Sequence, residues 1–153
     1  PENYYYVTLT TTEDALEPAF SAWSHEALDR EAAKSSNPEK TRPNIKWSYA
    51  DSPYFMFAEE NFAPVTAAFA TMPNMYEIEG AVYEAEHAMR MAAMVDAMAM
   101  LNAEGAFGTG PKRAEIYVNV EVVPPDASNT TRALALNPPG PALDMWLEEA
   151  AEE

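Results

Sequence analysis

The chain has no cysteine and no glutamine, and among its 153 residues only nine are Lys or Arg, two are His and five are Gly. Without cysteine there is no disulfide scaffold, no thiol nucleophile and no Cys-ligated zinc or iron–sulfur centre. The missing glutamine has no physical account. Nine cations against 25 Asp and Glu leave a formal net charge of −16. A phosphate backbone would be repelled by that charge, which argues against direct nucleic-acid binding. No apolar run approaches the ~20 residues of a membrane span, and nothing reads as a signal peptide. The expectation is a cytoplasmic protein without membrane attachment. Hydrophobic residues make up 48% of the chain, which excludes a disordered acidic tail. The length suits a single domain over residues 1–153 with its own core.

Several elements are legible in the pattern. Tyr4 to Thr10 alternates and is rich in aromatic and β-branched residues, which predicts a strand. Leu16 to Trp23 predicts a second strand, held to a sheet edge by Pro18. Ser24 is a good N-cap for a helix over His25 to Lys34. Ser35 to Asn44 reads as a loop, and Ile45 to Tyr49 as a short strand. A helix is expected over Glu59 to Thr71, with Pro64 early in it or kinking it. The longest element is a helix from about Ile78 to Ala103, with Tyr83, His87, Met91, Met94, Met98 and Leu101 on one face. Glu86 and Arg90 are expected as a solvent-side i,i+4 pair, and Gly105 as the helix stop. Ile116 to Val122 is the cleanest alternating strand, ended by Pro124-Pro125-Asp126. A short helix near Thr130 to Ala135, capped by Asn129 or Thr130, precedes an acidic amphipathic helix over Ala142 to Ala151. Strands and helices mix without regular βαβ alternation, so the expected class is α+β, with a mainly antiparallel sheet packed against several helices.

Five segments carry a resemblance when taken together and in order: Ala19 to Ala32, Lys46 to Tyr54, Leu101 to Gly110, Tyr117 to Pro139 and Ala142 to Glu152. They resemble a bacterial family catalogued as domain of unknown function 4303. Residues matching its pattern include Trp23, Ser24, Trp47, Ser48, Asp51, Pro125, Asp126, Asn129, Arg132 and Asn137. Members of that family usually carry a further helix before the tyrosine-rich strand. The resemblance therefore implies that Pro1 is not the native start and that an N-terminal helix is missing. It implies no activity; by analogy, small acidic families of this kind turn up as immunity proteins beside bacterial toxins.

No constellation carries recognisable chemistry. His25-Glu26 does not open an HExxH zinc site, because Asp29 stands where the second histidine belongs. Glu84 and His87 have the spacing of half a di-iron motif, but the other half is missing, and His87 falls on the apolar stripe. Ser24 and Ser48 lack a nucleophile elbow. Gly105, Gly108 and Gly110 follow a helix and precede a strand, the reverse of a phosphate-binding loop. Met91, Met94 and Met98 read as core filling, while Met89 and Met100 fall off the stripe. No catalytic residue, metal ligand or cofactor is expected.

Charge is more informative. Arg30, Lys34, Lys40, Arg42 and Lys46 gather five of the nine cations into one stretch. Carboxylates concentrate at Glu77, Glu79, Glu84 and Glu86, at Asp126, and at Asp144, Glu148, Glu149, Glu152 and Glu153. The resulting expectation is an acidic, non-catalytic binding protein that neutralises a basic partner, such as an immunity protein against a basic toxin. Glu79, Glu86, Glu148, Glu149 and Glu152 are its expected partner-binding residues. One alternative is a small enzyme of unknown reaction, with a pocket formed by Trp23, Trp47, Tyr49, Asp51, Tyr54 and Asp126. Another is an acidic nucleic-acid mimic or an assembly component. Oligomeric state is not legible.

Overall fold

The computed structural model describes residues 1–152, so Glu153 lies outside the described residues. Strand β1 (Tyr4–Thr12) turns back through a short polar connection into β2 (Ala19–Ser24), and the two pair antiparallel. The third strand, β3 (Tyr117–Val123), lies on the other side of β1, giving the order β2-β1-β3. β3 runs parallel to β1, from Tyr6 opposite Tyr117 to Thr12 opposite Val123. The class is α+β as expected, but the sheet is mixed rather than mainly antiparallel. A tight connection forces strand reversal, whereas a long helical crossover returns the chain to the edge where it began. That crossover contains α4 (Gly80–Ala103), whose 24 residues span about 36 Å.

Helix α1 (His25–Ala32) starts where the sequence places it: the Ser24 side chain accepts the Ala27 N–H at 2.9 Å. Two expectations nearby are overturned. The supposed loop after it contains α2 (Pro38–Ile45), since Asn37 caps Lys40 N–H and Pro38 occupies the first helical position. Ile45 to Tyr49 is not a strand. The Ser48 and Tyr49 carbonyls accept instead from the Trp23 indole (2.8 Å) and the Ser21 hydroxyl (2.9 Å) of β2. Those side-chain bonds take the place of a backbone ladder.

Short 3-10 turns at Glu59–Phe62 and Met75–Glu77 bracket α3 (Ala63–Phe69), which buries no residue. On α4, Met91, Met94 and Met98 are buried as the stripe predicts, whereas Leu101 is 41% exposed. Its end is a Schellman arrangement: Ala106 N–H reaches Leu101 O, Gly105 N–H reaches Asn102 O, and Gly105 takes φ +80°. Arg90 pairs with Glu86 at 2.8 Å but is not on the solvent side; it is only 3% exposed. Its guanidinium donates to Pro73 O (2.6 Å) and stands 5.4 Å from the Phe69 ring, so the chain before α4 folds over it.

After β3, α5 (Ala127–Leu136) begins earlier than expected and is capped by Asp126, which accepts Ser128 N–H at 2.7 Å. Asn129, expected as a cap, is buried in its first turn. Its amide accepts Val122 N–H (2.8 Å) and donates to Val122 O (3.2 Å). Arg132 donates to Val120 O (2.6 Å), and Asn137 makes the same two-way bridge to Val118 (2.8 and 2.7 Å). These three side chains satisfy the outer edge of β3 as a fourth strand would. Helix α6 (Pro141–Glu149) closes the fold, one residue earlier at its start and two at its end than the pattern suggests.

The sheet separates two apolar clusters. Val118, Val120 and Val122 pack with Val7, Ala22, Phe107 and with Met91, Met94 and Met98 of α4. Tyr6, Trp23 and Tyr117 pack with Leu28 of α1, Ala133 of α5, and Leu143 and Trp146 of α6.

Candidate functional site

The second face of β3 presents Tyr117, Asn119 and Glu121, all buried, opposite Tyr6, Thr8 and Thr10 of β1. Tyr6 donates its hydroxyl to Glu121 Oε2 at 2.7 Å, and Tyr117 donates to Oε1 at 3.1 Å. Asn119 Nδ2 donates to the Tyr117 hydroxyl (2.7 Å) and to Asn129 O (3.0 Å), while Asn119 Oδ1 is buried without a partner among the described residues. Glu121 is 9% exposed and has no salt-bridge partner among the described residues. Arg132 is near enough to be felt, but its guanidinium is committed to Val120 O and to Asn129 Oδ1 (2.6 Å). Burial pushes the Glu121 carboxyl up to about 7, against the downward pull of the two phenols and Arg132. Burial likewise holds both tyrosine hydroxyls above their ordinary range.

Glu121 lines a cavity of about 250 Å³, together with Trp47, Tyr49, Pro125, Asn129 and Trp146, with Glu152 also contributing to the lining. The aromatic walls are braced. Tyr117 stacks between Tyr6 (5.8 Å, 9°) and Trp146 (4.7 Å, 19°), and Trp47 meets Tyr117 edge-on at 5.9 Å. Trp47 is tied down by its indole N–H to Glu149 (2.8 Å), which also pairs with Lys46 at 2.7 Å.

Of the residues named from sequence for a pocket, Trp47 and Tyr49 line this cavity. Trp23 is fully buried in the core and donates to Ser48 O. Asp51 is exposed in a turn, and Asp126 is the exposed cap of α5. Tyr54 belongs to a separate polar cluster, donating to Glu2 (2.5 Å) and accepting from Arg30 (3.1 Å). Glu121 and Trp146 escaped the sequence reading. The signal was there for Glu121, a carboxylate between valines on the inward-alternating strand. Trp146 sits on the apolar side of an amphipathic helix, where packing alone accounts for it.

The carboxylates named for partner binding do not share one surface. Glu79 immediately precedes α4 and Glu86 lies in it, and α4 packs on the valine face of the sheet; Glu148, Glu149 and Glu152 belong to or follow α6, which packs on the tyrosine face. Glu79 is exposed at the start of α4, whereas Glu86 is half-buried against Arg90. Glu148 and Glu152 are exposed; Glu149 is exposed but paired with Lys46.

A second concavity, about 750 Å³, lies between β2 and the segment leading into α3. Its walls include Phe20, Met56, Phe57 and Phe62, and Glu17, Glu59 and Glu60 stand on its rim. Met56 and Ala58 both hold φ +56°, a region that costs a non-glycine residue about 1–2 kcal/mol. Met56 N–H bonds to Phe20 O at 2.8 Å, and Phe57 between the two strained residues is 62% exposed. From residue 47 to residue 89 the sequence contains no Lys or Arg. The nine cations are largely consumed elsewhere: Arg30, Lys34, Arg42, Lys46 and Arg90 pair with carboxylates, and Arg113 is buried against Leu136 O and Asn137 Oδ1.

Both histidines are accounted for by packing. His25 stacks on Tyr5 at 4.6 Å, and His87 stacks on Tyr83 and contacts Glu13 O at 3.0 Å. Among the described residues, no three His, Asp or Glu side chains are placed to share a metal ion, and no helix is long and apolar enough to cross a membrane. In comparisons with known proteins, a family model described as Domain of unknown function (DUF4303) matches residues 1–138. No curated protein and no solved structure matches the chain.

Proposed function

We propose, on the premise that this chain belongs to the DUF4303 family of unknown function, that it is a binding protein which neutralises a basic partner protein. Its docking surface is the groove between β2 and the segment before α3. The observation that carries this reading is the pairing of exposed apolar anchors with uncompensated carboxylates. Phe57 and Met56 stand in the open; Glu59 and Glu60 flank them within the stretch of chain that lacks Lys and Arg, and Glu17 joins them from the connection before β2. Interfaces concentrate binding energy in a few apolar or aromatic anchors ringed by polar groups. The carboxylates select a partner of opposite charge and speed its encounter. An immunity protein that masks a basic toxin is the biological form this takes.

Affinity capture from the native host, at low and moderate salt, tests the reading. The expected partner is basic and stoichiometric, and its association weakens as salt rises. Reversal of charge in Glu17→Lys, Glu59→Lys and Glu60→Lys together slows its association by about tenfold or more. The same reversal at Glu148 and Glu152, on the opposite side of the sheet, has a smaller effect. A partner whose binding ignores both salt and the groove variant would refute the acidic docking surface.

A further inference from the structure

Glu121 is a buried carboxylate with no ion-pair partner among the described residues, and it opens into an aromatic-walled cavity. Each of its oxygens accepts one phenol hydroxyl, at 2.7 and 3.1 Å, and a carboxylate oxygen has two acceptor positions. One acceptor position per oxygen therefore remains unused. Around it stand Trp47, Tyr49 and Trp146, whose ring faces attract cations more strongly when water is excluded. A second carboxylate, Glu152, also contributes to the lining. Two cations stand nearby and both are committed: Arg132 has its guanidinium turned to the β3 edge and to Asn129, and Lys46, 5.0 Å from the Trp47 ring centroid, is paired with Glu149 at 2.7 Å. Among the described residues no cation is paired with the Glu121 carboxylate, and a cavity with that negative floor and aromatic walls suits a small positive group. Neutral or anionic ligands would leave the carboxylate uncompensated or repelled.

We propose that this cavity is a binding site for a primary alkylammonium group, either a free small amine or the end of a lysine side chain. The ammonium donates to the free acceptor positions of Glu121, and its alkyl stem lies between Trp47, Tyr49 and Trp146. This site is separate from the groove before α3 and does not depend on a protein partner docking there. Ligand and carboxylate titrate together: the bound ammonium stabilises ionised Glu121, and Tyr6, Tyr49, Tyr117, Arg132 and Glu152 stand around it, with Lys46 and Glu149 held against the Trp47 wall.

The test is an NMR titration of the three tryptophan indole signals at about pH 8, where Glu121 is ionised. n-Butylammonium should shift Trp47 and Trp146 saturably, with an affinity of about 1 mM, and leave the buried Trp23 unmoved. n-Butanol, the neutral counterpart, should bind at least about tenfold more weakly. Glu121→Gln, which keeps the shape of the side chain, should lose butylammonium binding by a similar factor. The comparison of ammonium with alcohol needs only the unaltered protein, so the test stands even if that variant folds poorly. A peptide with one central lysine distinguishes the two sources: binding equal to the free amine admits a lysine side chain, and its absence restricts the site to small amines. Equal binding of amine and alcohol, shifts spread evenly over all three tryptophans, or no saturation would overturn the proposal.

Discussion

Glu121 is largely withdrawn from water, with two phenols as donors and no ion-pair partner among the described residues. Its native pKa of about 7 lies above the ordinary 4.5 of the unfolded chain. The native state therefore binds the proton more tightly, and the group's contribution to stability is fully present below about pH 4.5 and lost as pH rises toward 7. Between about pH 5 and pH 8 the unaltered protein should lose about 2–3 kcal/mol that Glu121→Gln does not lose. Urea unfolding of both proteins at the two pH values measures it, and parallel pH dependences would contradict the raised pKa. Carboxylates held below their ordinary range act oppositely: Glu26 is bonded by the Asn3 backbone and side chain, and Asp126 by Ser128. Their contribution fades only as pH falls through the acid range, so they do not mask the Glu121 effect.

At the scale of elements, α5 does more than cover the sheet. Asn129, Arg132 and Asn137 bond the outward backbone groups of Val122, Val120 and Val118, which would otherwise stand unpaired at an edge. Replacing Asn129 with Leu removes both partners of Val122 and is expected to cost about 3 kcal/mol. Faster hydrogen exchange at the Val122 amide should accompany that loss; unchanged stability and protection would mean that water or a shifted α5 replaces the bridge. Helix α3 is the contrasting element. It buries no residue, and the strained backbone at Met56 and Ala58 precedes it. Its apolar residues gain little from this fold by themselves, which agrees with a surface completed by something else.

At the scale of the whole molecule, the described residues form five ion pairs that, with two inward-turned arginines, absorb most of the nine cations, and the remaining carboxylates repel one another. Screening should therefore stabilise the fold. Raising sodium chloride from about 0.02 M to about 0.5 M, where the Debye length falls to a few ångström, should raise Tm by about 5 °C. A Tm that stays level or falls would show that the ion pairs outweigh the repulsion.

The local features were determined by sequence alone. Ser24 caps α1 and Gly105 ends α4 because both effects act within one helical turn. The methionine stripe found the core because helical periodicity alone decides which face is shared. The mixed sheet, the burial of Arg90 and the bridge from α5 to β3 were decided only by tertiary structure. Each depends on which distant segment arrives beside it: Pro73 at Arg90, β3 beside β1, Asn129 at Val122. The Glu121 cavity belongs to the same class. Its floor comes from β3 and its walls from Trp47 and Trp146, about a hundred residues apart in sequence, and a carboxylate's pKa and reach are set by what surrounds it in space.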